Sequence, residues 1–77
     1  MMANLTQMRS GESGMIAEIH GGYGLAKKLQ NIGIRPGKKI TKVSSYVWRG
    51  PQVIEIDDVQ FAIGFGMAQR IIIQTNK

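Results

Sequence analysis

Ten glycines divide the 77 residues into short segments, and this spacing most constrains what the chain can fold into. One segment alone has helical period: Leu25, Leu29 and Ile32 follow one another at i, i+4 and i+7, and Gly33 comes directly after them. Glycine adopts the left-handed conformation that closes many helices. The spacing therefore predicts one amphipathic helix over residues 23–32 that ends at Gly33.

The remaining segments have the composition and alternation of β-strands. The clearest is the run from Val59 to Phe65, in which apolar side chains alternate strictly with small or polar ones. Ile16 and Ile19, like Ile40 and Val43, are three residues apart, which predicts a bulge in each of two strands. We predict strands at residues 15–19, 39–47, 53–56, 59–65 and 70–75, a two-residue hairpin loop at Asp57-Asp58 and a helical turn at 66–69. About five short strands with one inserted helix predict a mainly β fold, a small, partly open SH3-like barrel in a single domain over residues 1–77.

Residues that could do chemistry are scarce. The chain has no cysteine, which excludes disulfides and thiolate sites, and its one histidine is His20. Glu18 and His20 are weak candidates for half of a metal site, which would need a third ligand such as Asp57 or Asp58; the alternative is a surface histidine at a strand end. We predict no catalytic residue, no cofactor and no enzymatic activity.

Charge is distributed unevenly along the sequence. The formal net charge is +5, yet all seven charged residues between positions 27 and 49 are basic. Such a segment favours an acidic protein surface, a phosphate backbone or an anionic membrane, although it could simply keep a small domain soluble. Two aromatic residues lie within it, and Phe65, Met8 and Met67 are further interface candidates. The predicted partner-binding residues are Lys27, Lys28, Arg35, Lys38, Lys39, Lys42, Tyr46, Trp48 and Arg49.

Several motifs together resemble the FeoA-like domain, the small SH3-like barrel of ferrous iron transport protein A. The most specific is Leu29-x-x-x-Gly33-Ile34-x-Pro36-Gly37, which follows Gly14-x-Ile16-x-x-Ile19 and precedes Gly50-Pro51. The resemblance covers about residues 5–74. It implies a cytoplasmic, non-enzymatic adaptor of bacterial ferrous iron uptake that binds the GTPase-containing membrane transporter FeoB. Peripheral contact with the inner face of the cell membrane is compatible with that role.

Two docking modes remain open for such an adaptor. In one, the basic segment binds an acidic surface of the transporter or its lipid border. In the other, an apolar groove between the helix and the barrel binds the partner. The alternative function is a small basic barrel that binds nucleic acid, with bases stacked on Tyr46 and Trp48; we regard it as the weaker hypothesis.

Overall fold

The computed structural model describes residues 1–45 and 49–75, which form six strands, two α-helices and one short 3₁₀ turn. In chain order these are β1 (Met2–Asn4), the 3₁₀ turn (Leu5–Gln7), β2 (Ser13–Ile19), α1 (Tyr23–Asn31), β3 (Lys39–Ser45), β4 (Gln52–Ile56), β5 (Val59–Ile63), α2 (Phe65–Ala68) and β6 (Ile71–Gln74). No helix in residues 1–45 and 49–75 is long and apolar enough to cross a membrane.

All six strands form one antiparallel sheet in the order β1-β6-β2-β3-β4-β5. The mainly β prediction is confirmed, with one strand more than expected. Buried side chains from opposite parts of the sheet, such as Leu5 after β1 and Ile63 at the end of β5, belong to one core cluster. The sheet must therefore curl around that core, which α1 and α2 help to cover with Leu29 and Ala68.

The helix ends as its sequence predicts. Gly33 has a φ of 95°, and its N–H donates to the carbonyl of Gln30 while the N–H of Ile34 donates to that of Leu29. These two bonds form a Schellman motif, which satisfies carbonyls that the last helical turn leaves open. Leu29 and Ile34 are both fully buried, so the cap also anchors the helix to the core.

The β4–β5 hairpin is also confirmed. Asp57 and Asp58 form its two-residue loop, with φ values of 52° and 67°, and Ile56 pairs with Val59 across it. Positive φ at both loop residues is typical of a type I′ turn, whose twist matches that of the strands.

Both predicted bulges occur, but only one brings the expected pair inward. The register of β2 shifts between Ile16 and Glu18, and Ile19 packs against the core as expected. The register of β3 shifts between Lys42 and Ser44. There the residue that follows Ile40 into the interior is Lys42, while Val43 is half-buried.

The predicted strands differ from the structure in the missing β1 and in the ends of β2 and β5. β2 begins at Ser13, two residues earlier than predicted, and the predicted end of β3 at residue 47 lies outside the described residues. β1 was absent from the prediction, because three residues are too few to show a period. β5 ends at Ile63, since Gly64 caps α2 and Phe65 is the first residue of that helix, not a strand residue.

Candidate partner-binding surface

The predicted basic residues do not share one surface. Lys27 and Lys28 are exposed on α1, and Arg35 is exposed in the connection that follows it. The structure contains no ion pair to any of these three side chains within residues 1–45 and 49–75. We call Lys27, Lys28 and Arg35 the helix–loop basic group, which carries three positive charges on α1 and the connection that follows it.

Lys38 and Lys39 lie instead beside acidic residues. Lys38 Nζ is 2.6 Å from Asp57 Oδ2, in an ion pair between the residue that precedes β3 and the loop of the β4–β5 hairpin. Lys39 lines a shallow depression of about 320 Å³ whose other residues are Thr41, Glu55, Asp57 and Asp58. Their charges are therefore offset locally, and the helix–loop basic group is left as the more strongly positive part of this segment.

Lys42 does not belong to the surface at all, which corrects the expectation for this residue. Its side chain is 1% exposed, and its Nζ donates to the carbonyl oxygens of Leu5 and Met8 at 3.0 and 3.1 Å. Burial lowers the pKa of Lys42 from its ordinary value, an effect opposed by the negative charge of Glu12. Lys42 thus ties the segment after β1 to the sheet and is unavailable to a partner.

The remaining candidates, which are Arg49 and the aromatic and methionine residues, also differ in exposure. Tyr46 and Trp48 lie outside the described residues. Arg49 is exposed, and its guanidinium lies 6.0 Å from the ring centroid of Phe65 in a cation–π contact. Met8 is 5% exposed and belongs to the core, which corrects the expectation for this residue. Met67 is half-buried against that core, and its place in an interface stays a prediction.

An open groove separates α1 from the sheet, as one docking hypothesis requires. It has a volume of about 340 Å³ and is lined by Ile19, Ala26, Gln30, Arg35 and Pro36. We call it the helix groove. Ile19, Ala26 and Pro36 make its lining partly apolar, and Arg35 places a member of the helix–loop basic group at its rim. Arg35 is therefore the residue that the two docking modes left open by the sequence have in common.

Tyr23 extends this surface along the helix. It is 79% exposed, and Lys27 Nζ lies 5.9 Å from its ring centroid. Residues three and four apart share a helix face, which puts Tyr23, Lys27 and Gln30 along one stripe of α1. Tyr23 was not among the predicted partner-binding residues. Its position just before the first leucine of the helix is the sequence signal that could have identified it.

Glu18 and His20 approach each other at the surface, with Oε2 and Nε2 3.6 Å apart and side chains 59% and 60% exposed. No group of three or more His, Cys, Asp or Glu side chains that could hold a metal ion occurs within residues 1–45 and 49–75. Asp57, one of the expected third ligands, lies against Lys38 instead. Two exposed ligands do not hold an ion firmly, so these residues define no metal centre.

The fold and this surface define the class: a small SH3-like β-barrel with an exposed groove and no assembled reactive centre in its described residues. The FeoA domain family matches residues 3–75, and the chain belongs to that family. Comparison with curated protein sequences gave no match.

Solved structures agree with this assignment. The crystal structure of an iron uptake regulatory protein, FeoA, is 35% identical with a TM-score of 0.87, and 96% of each chain is covered. The zinc complex of Stenotrophomonas maltophilia FeoA, described as a procaryotic SH3 domain protein, is 18% identical with a TM-score of 0.78, covering 94% of this chain and 89% of that one. A manganese-dependent transcriptional repressor is 21% identical with a TM-score of 0.87 and shares the fold over 96% of this chain but 41% of its own.

Proposed function

We propose that this protein is a non-enzymatic cytoplasmic adaptor of ferrous iron uptake that binds the membrane transporter FeoB. Membership of the FeoA family and the likeness to an iron uptake regulatory protein at 35% identity support a role in ferrous iron uptake. The S. maltophilia relative is described as a candidate activating factor of bacterial ferrous iron transport, which points to the same role. Within this proposal, binding modulates the activity of that GTPase-containing transporter.

The observation that carries the docking site is the position of Arg35. It belongs both to the helix–loop basic group and to the rim of the helix groove. An apolar groove with a cationic rim suits an amphipathic segment that carries acidic residues: the groove covers its apolar side, and the cations steer and orient it. We therefore assign the partner surface to α1, the helix groove and Arg35, and exclude Lys42.

Binding should be measured between the purified full chain and detergent-solubilised FeoB, by an affinity titration at several salt concentrations. Lys27→Glu/Lys28→Glu reverses two exposed charges on α1 and should weaken binding at least tenfold at low salt. Lys39→Glu is the control, because Lys39 is also exposed but lies among acidic residues. Ala26→Arg should fill the helix groove without touching the core.

The outcomes separate the docking modes. If both the charge-reversal variant and the groove variant lose affinity for FeoB, the partner surface includes both the charges and the helix groove. Loss with Ala26→Arg alone would assign binding to the groove without the charges. Retained affinity in both variants, with an unchanged melting temperature, would refute this surface. Binding of the full chain to anionic lipid vesicles but not to FeoB in neutral detergent would reassign the partner to the membrane.

A further inference from the structure

The strand β5 lies at one end of the sheet and leaves a free edge. Its five residues pair with β4 from Ile56↔Val59 to Gln52↔Ile63. Within residues 1–45 and 49–75, no other strand pairs with it. A free strand edge presents backbone donors and acceptors that can pair with another chain.

The register of the hairpin identifies which backbone groups face outward. In a two-residue hairpin the pair flanking the loop exchanges hydrogen bonds, and every second pair after it does the same. Val59, Phe61 and Ile63 thus direct their N–H and C=O groups toward β4. Gln60 and Ala62, which alternate with them, direct theirs away from the sheet, and both residues are exposed.

This edge lacks the features that usually prevent strand pairing. The run from Val59 to Phe65 (VQFAIGF) contains no charged residue and no proline. Exposed edges are commonly protected by lysine, proline or a bulge, and β5 has none of these. Val59 is 52% exposed, which adds an apolar side chain to the unprotected edge.

We propose that the β5 edge is an interface on which a second copy of this chain pairs antiparallel. A two-fold axis at Phe61 places Gln60 of one copy opposite Ala62 of the other. Both of these residue pairs face outward, so the two copies can exchange four backbone hydrogen bonds. Phe61 meets its symmetry mate across a non-hydrogen-bonded pair, where side chains are closest.

Charge at the two ends of the strand supports a second copy as the occupant. β5 begins after the loop Asp57-Asp58. Asp57 is paired with Lys38 of its own copy, so the acidic charge at this end is that of the exposed Asp58. β5 ends next to Phe65, over which Arg49 lies. Antiparallel pairing brings the acidic end of each strand beside the Arg49 end of the other, twice per dimer, as an isologous interface requires. The net charge of +5 on each copy opposes association, so pairing should be weak, in roughly the high-micromolar range.

A disulfide-trapping experiment tests the register, because the chain has no cysteine of its own. Gln60→Cys and Ala62→Cys are purified separately and mixed at equal concentration under mild oxidation. Opposed residues of an antiparallel pair lie within the Cα separation that a disulfide spans, so the mixed dimer should dominate. Random collision would give the mixed species as half of the products. A mixed fraction of half or less, measured by intact mass, would overturn the proposed register.

Sedimentation of the unmodified full chain tests the interface itself. At about 1 mM protein we expect a concentration-dependent rise toward twice the 8.5 kDa of one chain. Gln60→Lys should abolish this rise, whereas Gln69→Lys, the same change at an exposed position outside β5, should leave it intact. Arg49→Glu should weaken pairing, and the added change Asp58→Lys should restore it. A chain that stays monomeric throughout this range, or equal effects of the two lysine variants, would refute the proposal and leave the edge to a different protein.

Discussion

Replacing Lys42 by methionine should destabilise the protein strongly, because the ammonium group is the hydrogen-bond donor to two buried carbonyls. Lys42→Met keeps most of the side-chain volume and leaves the oxygens of Leu5 and Met8 without that donor. The Leu5 oxygen still accepts from the N–H of Met8 at 3.3 Å, so the Met8 oxygen is the one left without its partner. A buried polar group deprived of its partner costs about 1–3 kcal/mol, and the lost second bond to Leu5 adds about 1 kcal/mol. Removing the desolvation cost of the charge offsets part of this loss, and we expect a net loss of about 1–3 kcal/mol.

That loss is a large share of the stability of a domain of this size, and it should lower Tm by about 5–20 °C. Urea denaturation followed by circular dichroism measures the free energy directly. Lys39→Met is the control, because Lys39 is exposed on the same strand. A Lys42→Met variant as stable as the parent chain would refute the reasoning, since it would mean that burying the charge costs as much as the two bonds contribute.

The difference in unfolding free energy between the parent chain and Lys42→Met should also change with pH, in a direction that the pKa of Lys42 determines. The folded state lowers the pKa of Lys42 below its ordinary value of 10.5, so between the lowered pKa and 10.5 the unfolded chain binds more protons. Stability supplied by Lys42 therefore rises with pH through this window and is lost as pH falls through the folded pKa. A neutral amine still donates two hydrogen bonds, enough for both carbonyls. The stability gap between the parent chain and Lys42→Met should widen from pH 7 toward about pH 10.5; a gap that narrows would contradict this assignment.

Three substitutions that remove or introduce glycine test how backbone conformation and close backbone contacts affect stability. Gly33→Ala should cost about 1 kcal/mol, because its φ of 95° strains any other residue although no atom lies within 4 Å of the added Cβ. Gly14→Ala should cost more, because its Cβ would lie 2.7 Å from the carbonyl oxygen of Gln74. Asp58→Gly should instead stabilise the hairpin by about 0.5 kcal/mol, since φ is 67° at this position. Thermal denaturation of the three variants checks the ranking, and a Gly14→Ala variant more stable than Gly33→Ala would contradict it.

The elements that sequence predicted well are those in which local signals agree. The helix, its end at Gly33 and the Asp57-Asp58 hairpin each depend on a few adjacent residues, and the structure confirms them. β1 was missed because it is short and depends on a partner, β6, about 70 residues away in the chain. Its pairing is a tertiary property that no local pattern contains.

Lys42 shows how residue type can mislead a charge-based prediction. Alternation from Ile40 places position 42 on the inner face, but its charge led us to count it among the surface cations. The carbonyls of Leu5 and Met8, supplied by a segment more than 30 residues earlier, compensate for its burial together with the negative charge of Glu12.

The helix groove was expected in outline, yet its lining was not, because Ile19, Ala26 and Pro36 meet only in three dimensions. Sequence could place a helix over a sheet and a cationic segment after it. It could not show that Arg35 alone of the later basic residues reaches the groove, nor that acidic residues surround Lys39.

The strand order also determines when the fold can be completed. β6 lies between β1 and β2 in the sheet, although it is the last strand in the chain. During synthesis, β2 to β5 can pair as successive neighbours. β1 has no strand to pair with until β6 has left the ribosome. Such distant closure is slow, so assembly should end with these two strands locking together, and nascent chains halted before Ile71 should remain open to proteases at β1.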